Sequence, residues 1–99
     1  MSLDISVGSH WQNITHNLHG MANEAGFGDV LWGDTPVANA EQLADAIEVG
    51  LDSMRTDPAR FRKLDAPNGW GTYEQFVPWL ERLVEACRRD PNAEVSVSR

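Results

Sequence analysis

The sequence predicts an α+β fold in which three main helices pack on a small two-stranded β-ribbon formed by the N- and C-terminal strands. Three observations carry that prediction. Leu3, Ile5 and Val7 alternate with Asp4 and Ser6, and Val95 and Val97 alternate with Glu94 and Ser96, the period-two pattern of strands with one buried face. Three longer stretches repeat their apolar residues at the helical period. A lone two-stranded ribbon is only marginally stable in water, so the two terminal strands are expected to pair and to be covered by helices.

The first helix is read from Ile14, Leu18, Met21, Ala22 and Ala25, spaced i, i+4, i+7, i+8 and i+11. Asn13 is its expected N-cap, and Gly26 or Gly28 its end. At about 100° per residue, His16 points away from the apolar stripe and His19 lies roughly 60° round from His16. Residues 27–38 (FGDVLWGDTPVA) form a connection anchored by Phe27, Val30, Leu31 and Trp32. The second helix starts with Asn39 as N-cap and Gln42 at its third position, a variant of the capping box, and turns Leu43, Ile47, Gly50, Leu51 and Met54 inward. Asp57-Pro58 breaks it and starts a short helix held by Phe61 and Leu64. After the loop DAPNGWGTYE, Thr72 and Gln75 supply a full capping box for a third main helix with a stripe of Phe76, Trp79, Leu80, Leu83, Val84 and Cys87. Pro78 inside that stretch predicts a kink or a start one turn later, and Asp90-Pro91 ends it.

Ninety-nine residues, 41% hydrophobic and 23% charged, suit one domain spanning 1–99 that needs no metal or disulfide staple. Cys87 is the only cysteine; on an apolar helical face it reads as a buried, inert thiol. With no apolar leader and no membrane-length run, the expected location is cytoplasmic. The net charge is −7, and residues 1–54 hold eight acids and no Lys or Arg. Such a chain is repelled by nucleic acid and anionic membranes, and any cation for an anionic ligand comes from the second half.

Most catalytic chemistries lack their residues here. His16 and His19, even with His10, do not make a zinc motif such as H-E-x-x-H or paired cysteines, so no metal and no cofactor is predicted. There is no nucleophile elbow and no phosphate-cradling P-loop. Two stretches remain informative. Thr15, His16 and Asn17 exceed what a helix cap requires. In NGWG, Asn68-Gly69 is a turn dipeptide, and Trp70 between two glycines either plugs the core or forms a platform for a flat ring, with Asn68 and Tyr73 as polar contacts. Arg55, Arg60, Arg62 and Lys63 precede that loop; they either neutralise acidic helices or, through Arg60 and Arg62, clasp phosphates. Glu41, Asp45, Glu48 and Asp52 form a carboxylate stripe on the second helix, either a solvated face or a surface for a basic partner.

The segments NITHNL, MANEAG, LW, NGWGTYEQF and EACRRDPNAEVSVSR together resemble a family of small uncharacterised proteins of bacteria and their phages and prophages. The resemblance covers residues 13–99, and its specific parts are N-x-T-H-N (Asn13, Thr15, His16, Asn17) and N-G-W-G (Asn68 to Gly71). His19 and GDTP fall outside it. It implies a setting rather than a mechanism: small phage proteins without catalytic motifs often sequester a host signal or block a host protein. The leading expectation is therefore a non-catalytic binding module for a small, nucleotide-like ligand, with Thr15, His16, Asn17, Asn68, Trp70, Tyr73, Arg60 and Arg62 as ligand-binding residues. An acidic protein-interaction inhibitor and a small enzyme using His16 as acid or base are the alternatives. A host protein or a second copy of the chain are the other candidate partners.

Overall fold

The computed structural model describes residues 2–33 and 37–99; Asp34, Thr35 and Pro36 of the predicted connection lie outside the described residues. Strand β1 (Ser2–Val7) turns through Gly8 and Ser9 into β2 (His10–Thr15), placing Val7 opposite His10 and Ser2 opposite Thr15. Gly8 has φ 59° and Ser9 does not share its positive φ, the pattern of a two-residue type II′ hairpin turn, which calls for glycine first. Strand β3 (Val95–Ser98) lies antiparallel on the other side of β1, with Val7 opposite Val95. The sheet order is β2-β1-β3.

The end strands do pair, but the two-stranded ribbon is corrected to a three-stranded antiparallel sheet. Residues 10–15 are strand, so Asn13 is not a helix cap and Ile14 faces Leu3 across the hairpin. The reason lies in Gln12, which occupies a core-facing position of β2 and is buried. Its Nε2 donates to the Trp79 carbonyl at 3.0 Å, and its Oε1 accepts from His10 Nε2 at 2.6 Å. A buried amide so satisfied is tolerated, yet it removes the apolar alternation by which strands are recognised. Trp79 returns the bond: its Nε1 donates to the Asn13 carbonyl at 2.9 Å, covering part of an edge strand that would otherwise offer unpaired backbone groups.

After β2 a single 3₁₀ turn (His16–Leu18) is capped by Thr15, whose Oγ1 accepts from Asn17 N. Helix α1 (His19–Ala25) follows and ends at Gly26, whose φ of 94° is left-handed. A single turn, α2 (Gly28–Leu31), sits within the connection. Helix α3 (Ala40–Thr56) is capped by Asn39, which accepts from Gln42 N, while Gln42 Oε1 reaches back to Ala38 N. Pro58 opens the short α4 (Pro58–Arg62). Helix α5 (Tyr73–Arg89) begins at the Thr72/Gln75 capping box with both reciprocal bonds made, so it does not start a turn late, and it runs on through the exposed Pro78.

Leu3, Ile5 and Val7 from the sheet pack with the inward stripes of α3 and α5 and with Leu18, Met21, Phe27 and Leu31 in one buried cluster. Phe27, Phe76 and Trp79 pack in sequence as tilted rings with centroids 6.0 Å apart. Phe61 is buried in the same cluster, whereas Leu64, 41% exposed, lies outside it. Cys87 is buried as expected, and burial pushes its thiol up to about 11 against the opposing pull of Arg88. Among the described residues, no helix is long and apolar enough to cross a membrane.

Candidate functional site

The loop between α4 and α5 is fixed by its own hydrogen bonds. Ala66 N donates to Gly71 O at 2.9 Å, Gly69 N to Ala66 O at 3.0 Å, and Trp70 N to Asn68 Oδ1 at 3.0 Å. Gln75, besides capping α5, donates to Gly69 O and accepts from Gly71 N. Two positive φ angles, 77° at Gly69 and 117° at Gly71, let the chain make these turns, which residues with a Cβ adopt only at a cost.

This loop lies on the turn that follows β2. Asn17 Nδ2 donates to Trp70 O at 2.7 Å. Gly71 is buried, and a Cβ there would stand 3.0 Å from Asn17 Cβ and 3.2 Å from Thr15 Cγ2. Trp70 itself points outward with 73% of its surface exposed. It therefore does not plug the core, and the docking of the loop is done by backbone and Asn17. Above the contact opens a cavity of about 520 Å³. Thr15, His16, Asn17, Asn68 and Trp70 line it, together with Ser2, Asn13 and Ile14. Ser2, Asn13 and Ile14 were not expected there. Their signal was the V-G-S-H turn, which folds β1 beside β2 and lets Asn13 Nδ2 donate to Ser2 Oγ and Asp4 Oδ1.

Three predicted residues lie elsewhere. Tyr73 is buried, with its hydroxyl donating to Met54 O at 3.1 Å. Arg62 lies over the Tyr73 ring and donates to Glu74 at 2.8 Å. Arg60 lies over Phe61 and binds the Glu24 carboxylate at 2.7 Å as well as its carbonyl. Closeness in sequence to the loop did not become closeness in space, because α4 aims one arginine at the end of α1 and the other at the first turn of α5. Among the described residues, the cavity thus has no arginine in its lining.

Comparison with protein-family models, curated proteins and solved structures gives no match. The chemistry of the cleft is read from its own geometry.

The histidines separate into different settings. His10 binds Gln12. His19 stacks on Trp32, with ring centroids 5.3 Å apart and 19° between planes, and His16 meets the same indole edge-on at 6.3 Å. His16 Nε2 and Trp32 Nε1 are buried without a hydrogen-bond partner among the described residues. No group of three or more His, Cys, Asp or Glu converges among those residues in a way that would hold a metal ion.

The carboxylate stripe of α3 is crossed by cations. Arg88 reaches Asp45 at 2.9 Å and Glu48 at 2.8 Å, and these two hydrogen bonds, Glu48 first, raise its pKa further. Arg55 meets Glu81 at 2.7 Å and Asp52 at 3.8 Å. Exposed pairs of this kind contribute little each, and two arginines shared among Asp45, Glu48, Asp52 and Glu81 offset part of the charge that a basic partner would read.

Proposed function

We propose that this chain is a non-catalytic binding module whose cleft, between the Thr15-His16-Asn17 turn and the Asn68–Gly71 loop, holds a ligand by stacking one of its rings against Trp70. The observation that carries the proposal is a tryptophan held out in solvent by a loop whose backbone is already fixed. An exposed indole on a rigid support loses little freedom on binding, and amide and hydroxyl groups surround it. Among the described residues, the lining offers His16 as its one titratable side chain and no carboxylate to orient it, which favours holding a ligand over turning it over. Of the nucleotide-like ligand suggested by the sequence, the ring and sugar suit this cleft, whereas Arg60 and Arg62 are engaged with Glu24 and Glu74 away from it. In the phage setting that the sequence resemblance implies, such capture would withdraw a host signalling molecule.

A thermal-shift screen against nucleosides, nucleotides, cyclic dinucleotides, ADP-ribose and neutral sugars tests the proposal. A ligand at about 100 times its Kd adds about 2.7 kcal/mol and raises Tm by roughly 10 to 20 °C in a domain of this size. Trp70→Ala removes an exposed ring, so it should melt close to the wild type and lose the shift. No shift with any compound, or a shift that survives Trp70→Ala, refutes the proposal.

A further inference from the structure

We infer that the cleft is one end of a longer track for a neutral oligosaccharide, running along the solvent face of the sheet to a second exposed indole, Trp11. The inference rests on the binding reading above and specifies the chemistry of the ligand.

The placement comes from the hairpin. Trp11, Asn13 and Thr15 alternate onto one face of β2, and the bonds from Asn13 to Ser2 and Asp4 identify that face as the one opposite the core. Strand geometry puts Trp11 and Thr15 about 13 Å apart along this face. Trp11 is 61% exposed and Trp70 is 73% exposed, one beyond each end of the Asn13–Thr15 segment. The span is longer than one sugar ring.

The hydrogen-bonding pattern selects the ligand. Asn17 spends its amide N–H on Trp70 O, Asn13 spends its own on Ser2 and Asp4, and Asn68 spends its carbonyl on Trp70 N. These partners fix the orientation of each amide, leaving the Asn17 and Asn13 oxygens and the Asn68 NH₂ for a ligand. The Thr15 oxygen accepts from Asn17 N, which leaves its hydroxyl hydrogen available as a donor. Mixed donors and acceptors match groups that both donate and accept, which is the property of a sugar hydroxyl. Phosphate oxygens only accept, and they would meet two amide oxygens and, farther along the sheet face outside the cavity lining, the Asp4 carboxylate beside Asn13. That excludes a nucleic-acid strand from the same indoles, as does the net charge of −7. The C–H face of a pyranose ring carries the slight positive charge that the indole face attracts.

The test is an NMR titration of the full chain, in which the four tryptophans give four indole N–H signals. The probes are maltohexaose, cellohexaose, chitohexaose and laminarihexaose, their disaccharides, and adenosine and AMP as ring-bearing controls. One hexasaccharide should move the Trp11 and Trp70 signals together while buried Trp79 stays in place. Trp11→Ala should weaken that hexasaccharide by about tenfold, the scale of one stacked ring, and leave its disaccharide unchanged. Trp70→Ala should abolish both. A hexasaccharide that moves Trp70 alone overturns the track. If adenosine or AMP moves Trp70 and no sugar does, the oligosaccharide inference falls while the binding cleft stands; if no probe moves Trp70, both fall.

Discussion

Gly71 joins the two halves of the cleft, and replacing it by alanine tests that arrangement directly. Two costs arise. The φ of 117° at Gly71 lies where residues with a Cβ are strained, at roughly 1 to 3 kcal/mol. The new methyl group would also stand 3.0 Å from Asn17 Cβ, 3.2 Å from Thr15 Cγ2 and 3.4 Å from Leu18 Cγ. Leu18 is buried and Thr15 caps the turn, so neither gives way freely, and overpacking of this kind costs roughly 1 to 3 kcal/mol. Because one backbone shift relieves both strains together, the expected loss is about 3 kcal/mol, a fall in Tm of roughly 12 to 24 °C. Two other glycines calibrate the measurement. Gly69 has φ 77° with no atom within 4 Å of a built Cβ, so Gly69→Ala should lose only the left-handed strain of about 1 to 2 kcal/mol. Gly20, in α1 with nothing within 4 Å, should gain about 0.5 to 1 kcal/mol as alanine. Urea unfolding at one pH ranks all four proteins. If Gly71→Ala is no less stable than Gly69→Ala, the loop is not seated on the 15–18 turn and the cleft as described does not exist.

Trp79→Phe deletes the indole N–H that covers the Asn13 carbonyl but keeps the backbone carbonyl that Gln12 uses. It should cost about 1 to 3 kcal/mol and speed hydrogen exchange in residues 10–15; unchanged exchange there would show that the brace does not hold β2. Cys87 predicts a pH dependence. Its thiol pKa rises from 9.0 to about 11 on folding, so the native state binds that proton more tightly; the resulting stability is intact below about pH 9 and is lost as pH climbs toward 11. Unfolding compared at pH 8 and pH 10.5 should therefore show a smaller alkaline loss in Cys87→Ala than in the wild type, and equal losses would contradict the assignment.

The local chemistry of single segments was readable in the sequence wherever one rule acted alone. The Thr72/Gln75 box, Asn39, Gly26 and Pro58 all act within one turn of the chain, and each marks its helix end as expected. The apolar stripes of α3 and α5 were equally plain. The second strand was not, because Gln12 occupies a core position through bonds to His10 and to a carbonyl 67 positions away, and a periodicity rule sees only a polar residue. Asn13 and Ile14 then matched a helical pattern that the hairpin overrode. The cleft was half legible: Thr15, His16, Asn17, Asn68 and Trp70, grouped as one site from the sequence, line one cavity, and both stretches carry more polar groups than their caps and turns use. Arg60, Arg62 and Tyr73 were assigned by proximity along the chain, and helix direction sent them to other partners. Trp32, which both His16 and His19 contact, carried no signal in spacing.

The order of the strands sets the order of assembly. β1 lies at the centre of the sheet, yet one of its neighbours follows it directly and the other comes after every helix. The hairpin can close early because its contacts are local, whereas Val7 must find Val95 across nearly the whole chain, a pairing of the kind that slows folding. On a ribosome, where synthesis runs from the N-terminus, Leu3, Ile5 and Val7 emerge before every helix that covers them. A short, polar-faced hairpin with Asp4 and Asn13 on its outer side is a good form in which to wait: it hides some backbone from stray strands while its inner face stays committed to the helices still to come.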